Sequence, residues 1–194
     1  MPGKKQFDPD KAIDQAVRLF WAKGYSNASL RDLLKAMKIG EGSFYNSFKS
    51  KKNLYLLCLR RYHATVTARR FAAFNAAPSA KQAVRRYFAA ILDDLDDPRV
   101  PNVCLMAGSL SSDVLSARDL RDYIVAEMEA LRQILVRRLD HAKAGGELPV
   151  RFDSSVVADV IITYLQGFFR VVRVLHKRAE MEQQIEQLLT GLGL

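Results

Sequence analysis

The chain has 194 residues, 49% of them apolar and 26% charged, with a formal net charge of +9. That length suits one or two domains with a real core, and the apolar content excludes a disordered chain. The charge is uneven: residues 1–62 hold 13 Lys and Arg against 5 Asp and Glu, and residues 63–194 hold 17 against 16.

Apolar residues recur at intervals of three and four throughout, with no alternating pattern of the kind strands show, so the expected fold is all-α. Asp8-Pro9-Asp10 reads as a helix start, with Asp8 as cap and Pro9 in the first turn. Ile13, Ala16, Val17, Phe20 and Trp21 form one apolar stripe, ended by Gly24 as a left-handed cap. Ser29 precedes a short helix from Leu30 to Met37, with Asp32 in its first turn. A tight link at Ile39-Gly40 leads to a third short helix with Phe44 and Phe48, and Ser50 opens a fourth that Leu54, Leu57, Cys58 and Tyr62 extend.

Past Pro78-Ser79 a helix runs to about Asp94, and Asp96 to Pro101 reads as loop. Val103 to Leu115 is expected as one helix, with Ser116 capping a long one to about Ala144 that Gly145-Gly146 ends. Asp153 caps the next, expected to reach Arg178, and a last helix carries Met181, Ile185, Leu188 and Leu189. The most apolar stretch, Val156 to Leu175, is interrupted by Asp159, Gln166, Arg170 and Arg173, which argues for a buried amphipathic helix over a membrane span. Cys58 and Cys104 match no zinc or disulfide spacing, and His63, His141 and His176 are scattered, so neither a metal nor a cofactor is expected. Two reduced, buried thiols and a charged N-terminus in place of an apolar signal core suit a cytoplasmic protein.

A local basic excess suits phosphate-rich partners, but membrane surfaces and acidic proteins also attract it, so a motif has to decide. Three helices in the order long, short, short, with a turn at Gly40 between the second and third, have the arrangement of a helix-turn-helix. At about 100° per residue, Phe44 and Phe48 point together toward Phe20 and Leu34. The opposite side of that helix presents Gly42, Ser43 and Asn46, flanked by Tyr45 and Lys49. Small and amide side chains allow close approach to base edges, and Asn pairs bidentately with adenine. Tyr45, Lys49 and Lys51 are placed for phosphates, which fix register.

The run Phe20-x-x-x-Gly24-Tyr25-x-x-x-Ser29-Leu30-Arg31-Asp32, followed by Ile39-x-x-Gly42-Ser43-Phe44-Tyr45-x-x-Phe48-x-Ser50-Lys51-x-x-Leu54, resembles the DNA-binding domain of TetR-family repressors. The resemblance covers about residues 9–58. It implies a nine-helix, two-domain protomer that dimerises through its last two long helices and holds a small-molecule effector in its C-terminal bundle. The expected division is a helix-turn-helix domain over 1–53 and an effector-binding and dimerisation domain over 54–194. By the same resemblance Ser29 caps the second helix and touches a phosphate, Tyr45 and Lys51 contact phosphates, and Gly42, Ser43 and Asn46 read bases. Arg31 joins this DNA-facing set. Lys38 stands where the family commonly has Gly, and Gly40 where it has a capping Ser or Thr, so no side-chain cap is expected at position 40.

Candidate effector-pocket residues are Phe88, Leu92, Cys104, Met106, Met128, Tyr164 and Phe168, although core or dimer-interface roles suit the same residue types. An effector with such a lining would be apolar or amphipathic. Candidate dimer-interface residues are Val160, Ile161, Leu165, Val172 and Leu175. Cys104, in Asn102-Val103-Cys104-Leu105, is either a reactive sensor thiol or a small buried hydrophobe. Lys4 and Lys5 are either a minor-groove arm or a tail. The reading is a homodimeric, sequence-specific regulator released from a palindromic operator by a small molecule. The alternatives are an effector-independent, weakly specific DNA-binding dimer and a helical enzyme with a basic accessory segment. Against the enzyme, no catalytic triad, phosphate loop or metal spacing is present.

Overall fold

The computed structural model describes residues 7–101, 104–175 and 177–194, so the expectations for Lys4, Lys5, Asn102, Val103 and His176 lie outside the described residues. Every regular element among the described residues is helical. The chain forms two compact units, Met1–Val66 with Cys104–Ile124, and Thr67–Val103 with Val125–Leu194.

In the first unit α1 spans Pro9–Asn27, capped by Asp8, whose carboxylate accepts from Asp10 N–H at 3.0 Å and Lys11 N–H at 3.3 Å. Its inward face is Ala12, Ala16, Val17, Phe20 and Trp21, with Ile13 half-buried. Gly24 does not end the helix in a left-handed cap as expected. It makes a kink at φ 78°, ψ 171°, a region open almost only to glycine, and helical structure resumes to Asn27. Ser29 caps α2, Leu30–Met37, and Lys38 closes it in the left-handed region at φ 55°, ψ 44°. Thus a lysine carries the conformation that glycine commonly supplies. Gly40 opens α3, Glu41–Phe48, without a side-chain cap, as expected. Ser50 caps α4, Lys51–Tyr62. The expected domain boundary at residue 53 falls inside α4, all of which lies in the first unit.

Large rings hold this unit together. Phe20 meets Tyr55 edge-on at 4.8 Å, Trp21 meets Tyr62 edge-on at 4.8 Å, and Phe44 lies 5.8 Å from Phe48. Leu33, rather than Leu34, is the fully buried leucine of α2. Burying one such side chain contributes about 1.5–3 kcal/mol, more than an exposed ion pair, so aromatic packing positions the short helices.

The single helix expected over Val103 to Leu115 is instead α7, Leu105–Gly108, and α8, Ser112–Leu115. Ser109 Oγ donates to the Leu105 carbonyl at 2.7 Å, the backbone competition by which serine weakens helices. Ser116 likewise closes α8, donating to the Asp113 carbonyl at 2.9 Å, and does not cap the long helix. That helix, α9, spans Arg118–Ala144.

A π turn, His63–Thr67, carries the chain from α4 directly into α5, Ala68–Asn75, and the division between units falls within it. Ser79 caps α6, Ala80–Asp96. Asp153 caps α10, Ser154–Val171, accepting from Ser155 and Val156 N–H at 3.1 Å each. Helix α10 ends at Val171 with Val172 as its C-cap and does not reach Arg178 as expected. Arg178 instead begins α11, Arg178–Gly191. Eleven α-helices and one π turn stand among the described residues. In the second unit Arg85 pairs with Glu186, Nη2 to Oε2 at 2.6 Å, and Arg178 pairs with Asp93 at 2.9 Å and with Asp96, tying α6 to α11. No helix among the described residues is long and apolar enough to cross a membrane.

Candidate nucleic-acid interface

Helix α3 is amphipathic in the sense a reading head requires. Phe44 and Phe48 are buried, whereas Gly42, Tyr45, Asn46 and Lys49, at i, i+3, i+4 and i+7, are exposed along one face. Ser43 is half-buried at the edge of that face. A Cβ on Gly42 would meet nothing within 4 Å, and its φ is not positive, so the fold itself places no demand for glycine there. Its bare backbone leaves room for a partner to come close. Lys49 closes α3 at φ 66°, and its ammonium donates to the Asn46 carbonyl at 3.1 Å.

The start of α2 is a capping box. Ser29 Oγ accepts from Asp32 N–H at 3.1 Å, and Ser29 N–H donates to Asp32 Oδ2 at 3.3 Å. Lys23 Nζ donates to the same oxygen at 3.0 Å; with Ser29, it pulls the Asp32 carboxyl below its ordinary pKa. Ser29 Oγ thus accepts from the Asp32 N–H at the start of α2 while the Ser29 side chain also stabilises the Asp32 carboxylate. Arg31 is exposed in that first turn.

At the start of α4, Lys51 Nζ lies 4.5 Å from the centroid of the Tyr25 ring and 3.5 Å from the Ser26 carbonyl oxygen. Partial burial lowers its pKa, and the charge of Asp113 acts in the opposite sense. All eight expected DNA-facing residues belong to the first unit and none is buried. Tyr25 and Lys52 escaped the sequence reading as working parts. Tyr25 stands in the quoted motif, but its place beneath Lys51 joins residues 26 positions apart and has no local signature.

The candidate effector residues divide. Phe88, Leu92, Met128, Tyr164 and Phe168 belong to the second unit, whereas Cys104 and Met106 belong to the first. Phe88 lies 5.7 Å from Tyr164 and 5.6 Å from Phe168, ring to ring, and Tyr164 lies 6.1 Å from Phe168. The Tyr164 hydroxyl is buried without a partner among the described residues, and burial raises its pKa. Met128 is half-buried on α9. Leu92 lines a groove of about 560 Å³ between α6 and α11, with Arg85, Ala89, Ile185 and Glu186. Cys104 is buried and its Sγ accepts from the Tyr62 hydroxyl at 3.7 Å. Of the candidate interface residues, Ile161, Leu165 and Val172 face the interior of the second unit, and Val160 and Leu175 are exposed. The outward stripe of α10 is Val156, Val160, Thr163, Gly167 and Val171.

Comparison with known proteins agrees with this geometry. The family described as "Bacterial regulatory proteins, tetR family" matches residues 12–58, and "Tetracyclin repressor-like, C-terminal domain" matches residues 80–188. The chain belongs to the TetR family. Among its TetR-type relatives, the HTH-type transcriptional repressor ComR of Escherichia coli K12 is 29% identical over 164 residues, covering 84% of this chain and 78% of ComR. The repressor DhaR of Mycobacterium sp. GP1 is 23% identical over 184 residues, covering 93% and 89%. Among solved structures, a cysteine mutant of the TetR-family regulator CifR in complex with 26-bp operator DNA superposes with a TM-score of 0.87 at 27% identity, covering 95% of this chain and 97% of that one. A TetR-family regulator from Cytophaga hutchinsonii shares the fold, with a TM-score of 0.81 at 21% identity, covering 94% and 92%. This TetR-family chain is therefore a DNA-binding transcriptional regulator, which sets aside the helical-enzyme alternative.

Proposed function

We propose that the protein is a cytoplasmic, homodimeric repressor that reads a palindromic operator and leaves it when a small molecule binds its second unit. The observation that carries the reading is α3, with two phenylalanines anchoring one face and Gly42, Tyr45, Asn46 and Lys49 exposed on the other. Asn46 and Gly42 supply base readout, with Ser43 at the edge. Ser29, Arg31, Tyr45, Lys49 and Lys51 hold phosphates. A two-fold axis sets two such helices about one DNA turn apart. The exposed stripe from Val156 to Val171 on α10 supports a dimer built on that helix, with Val160 in its middle.

The effector site belongs to the second unit, against Phe88, Leu92, Met128, Tyr164 and Phe168. Three of these form an aromatic wall around one unpartnered phenol, which suits an apolar or amphipathic molecule with one polar group. Such a ligand acts only through its preference between conformers, and a coupling of about 1–3 kcal/mol weakens operator binding by roughly 5- to 150-fold. Selection from random duplex DNA tests the reading. A two-fold symmetric consensus is the expected result. Recovery of no consensus would leave a weakly specific, effector-independent DNA binder.

A further inference from the structure

The segment Cys104–Ile124 belongs to the same compact unit as the DNA-facing helices, and it brings carboxylates to them. Lys52 Nζ pairs with Asp119 Oδ2 at 2.8 Å, and Ser26 Oγ donates to Asp113 Oδ2. Ser26 is the residue whose carbonyl lies 3.5 Å from Lys51 Nζ. Asp113 is also felt electrostatically by Tyr25, the ring beneath Lys51. Two lysines at the start of α4 therefore sit in the field of two carboxylates from a segment more than fifty residues later. Both carboxylates are exposed, so water and solutes reach them.

We propose that Asp113 and Asp119 compete with DNA phosphates for the Lys51–Lys52 corner, so that the Cys104–Ile124 segment sets how tightly the protein grips DNA of any sequence. The inference rests on the DNA-binding reading above. A carboxylate and a phosphate oxygen offer a lysine the same charge-assisted hydrogen bond, and one ammonium shared between them gains less from each. A charge 2.8 Å away lies far inside the screening length of about 10 Å at 0.1 M salt, so counterions do not decouple Asp119 from Lys52. Affinity for duplex DNA rises with the number of uncompensated cations that displace counterions. The Lys52–Asp119 pair and the nearby charge of Asp113 thus subtract from a basic unit's hold on DNA backbone without touching base readout. This lowers the affinity for operator and random duplex by the same factor.

Asp119→Asn, Asp113→Asn and the double variant test this, with Asp122→Asn as control, since Asp122 faces Arg118 and Arg121. The probe is a random-sequence duplex, titrated over a series of KCl concentrations. Asp119→Asn is expected to bind about two- to fivefold more tightly, the range set by an exposed ion pair. Its slope of log K against log salt should steepen by about 0.9, one phosphate contact. Lys52→Gln added to Asp119→Asn should abolish the gain, and Asp122→Asn should change neither quantity. Wild-type affinity and slope in both Asp119→Asn and the double variant would overturn the competition while leaving DNA binding intact. A wild-type protein that binds no duplex in a salt-dependent way would overturn the DNA reading and this inference together.

Discussion

The hydroxyls of Tyr55 and Ser109 lie 2.7 Å apart in a buried hydrogen bond between residues 54 positions apart in the chain. Ser109 has a single proton, and Ser109 Oγ also lies 2.7 Å from the Leu105 carbonyl, which can only accept. Tyr55 is therefore the donor of the pair. Burial raises the Tyr55 pKa far above its ordinary value, so the phenol keeps this proton throughout the physiological range. Removing donor and acceptor should have unequal effects. Tyr55→Phe leaves Ser109 bonded to Leu105 and should cost about 0.5–1.5 kcal/mol. Ser109→Ala strands a buried phenol and should cost more, about 1–3 kcal/mol. Denaturant midpoints of the two variants check the order, and equal losses would refute the assigned direction.

Lys51 over Tyr25 makes a different prediction. A phosphate contact carries no sequence information, so Lys51→Ala should weaken operator and random duplex by the same factor. The salt slope should fall by about one unit. Anisotropy titrations at several ionic strengths measure both. A loss confined to operator DNA would move Lys51 from the backbone to the base edges.

Gly42 separates stability from function. Open space surrounds the position where a Cβ would stand, so Gly42→Ala should stabilise α3 by about 0.5–1 kcal/mol through helix propensity. The same methyl would stand between α3 and the groove floor, and operator affinity should drop. Melting temperature and operator Kd, measured on one preparation, should therefore move in opposite senses. If affinity rises along with stability, Gly42 does not approach DNA.

Asn46, at the centre of the exposed face, should behave as a base reader. Asn46→Ala is expected to relax preference at one base pair per half-site, at a cost of about 1–3 kcal/mol. Competition with single-base variants of a selected operator checks this, and a uniform loss across all of them would count against direct readout.

Arg70 and Asp94 form a buried pair in the second unit, Nη2 to Oδ2 at 2.8 Å, and Arg69 reaches the other carboxylate oxygen. Asp94→Ala removes the carboxylate that meets both Arg69 and the buried Arg70, which should cost about 3–5 kcal/mol. Replacing both Arg70 and Asp94 by apolar residues, Met and Leu, should recover much of that, because the buried charges are then both gone. Chemical unfolding of the single and double variants tests the order of stability.

The parts of the fold decided locally were legible in the sequence. Asp8, Ser29 and Asp153 cap the helices expected of them and Ser50 opens the one expected of it, because a cap is settled within three or four residues; Ser116, expected to cap α9, closes α8 instead. The two faces of α3 also followed from spacing. Elsewhere distance intervened. The break between α7 and α8 centres on Ser109, whose hydroxyl is held by Tyr55 from another helix. On α10 apolar residues run almost all the way round, so periodicity could not say which stripe faces inward. Ile161 and Leu165 turn to the core, and Val156, Thr163 and Gly167 to the outside. The acidic partners of the α4 lysines, Asp113 and Asp119, are likewise visible only once the chain has folded back.

That return of Cys104–Ile124 to the first unit makes α5 and α6, in topological terms, an excursion from a body the chain has begun but not finished. The DNA-reading part is therefore not a cassette ending at residue 66. A chimera that borrows only that stretch from a relative would set a foreign surface against Tyr55, Lys52 and Ser26. Exchanges of DNA specificity between relatives should succeed when both stretches travel together, and in evolution the two should change as one.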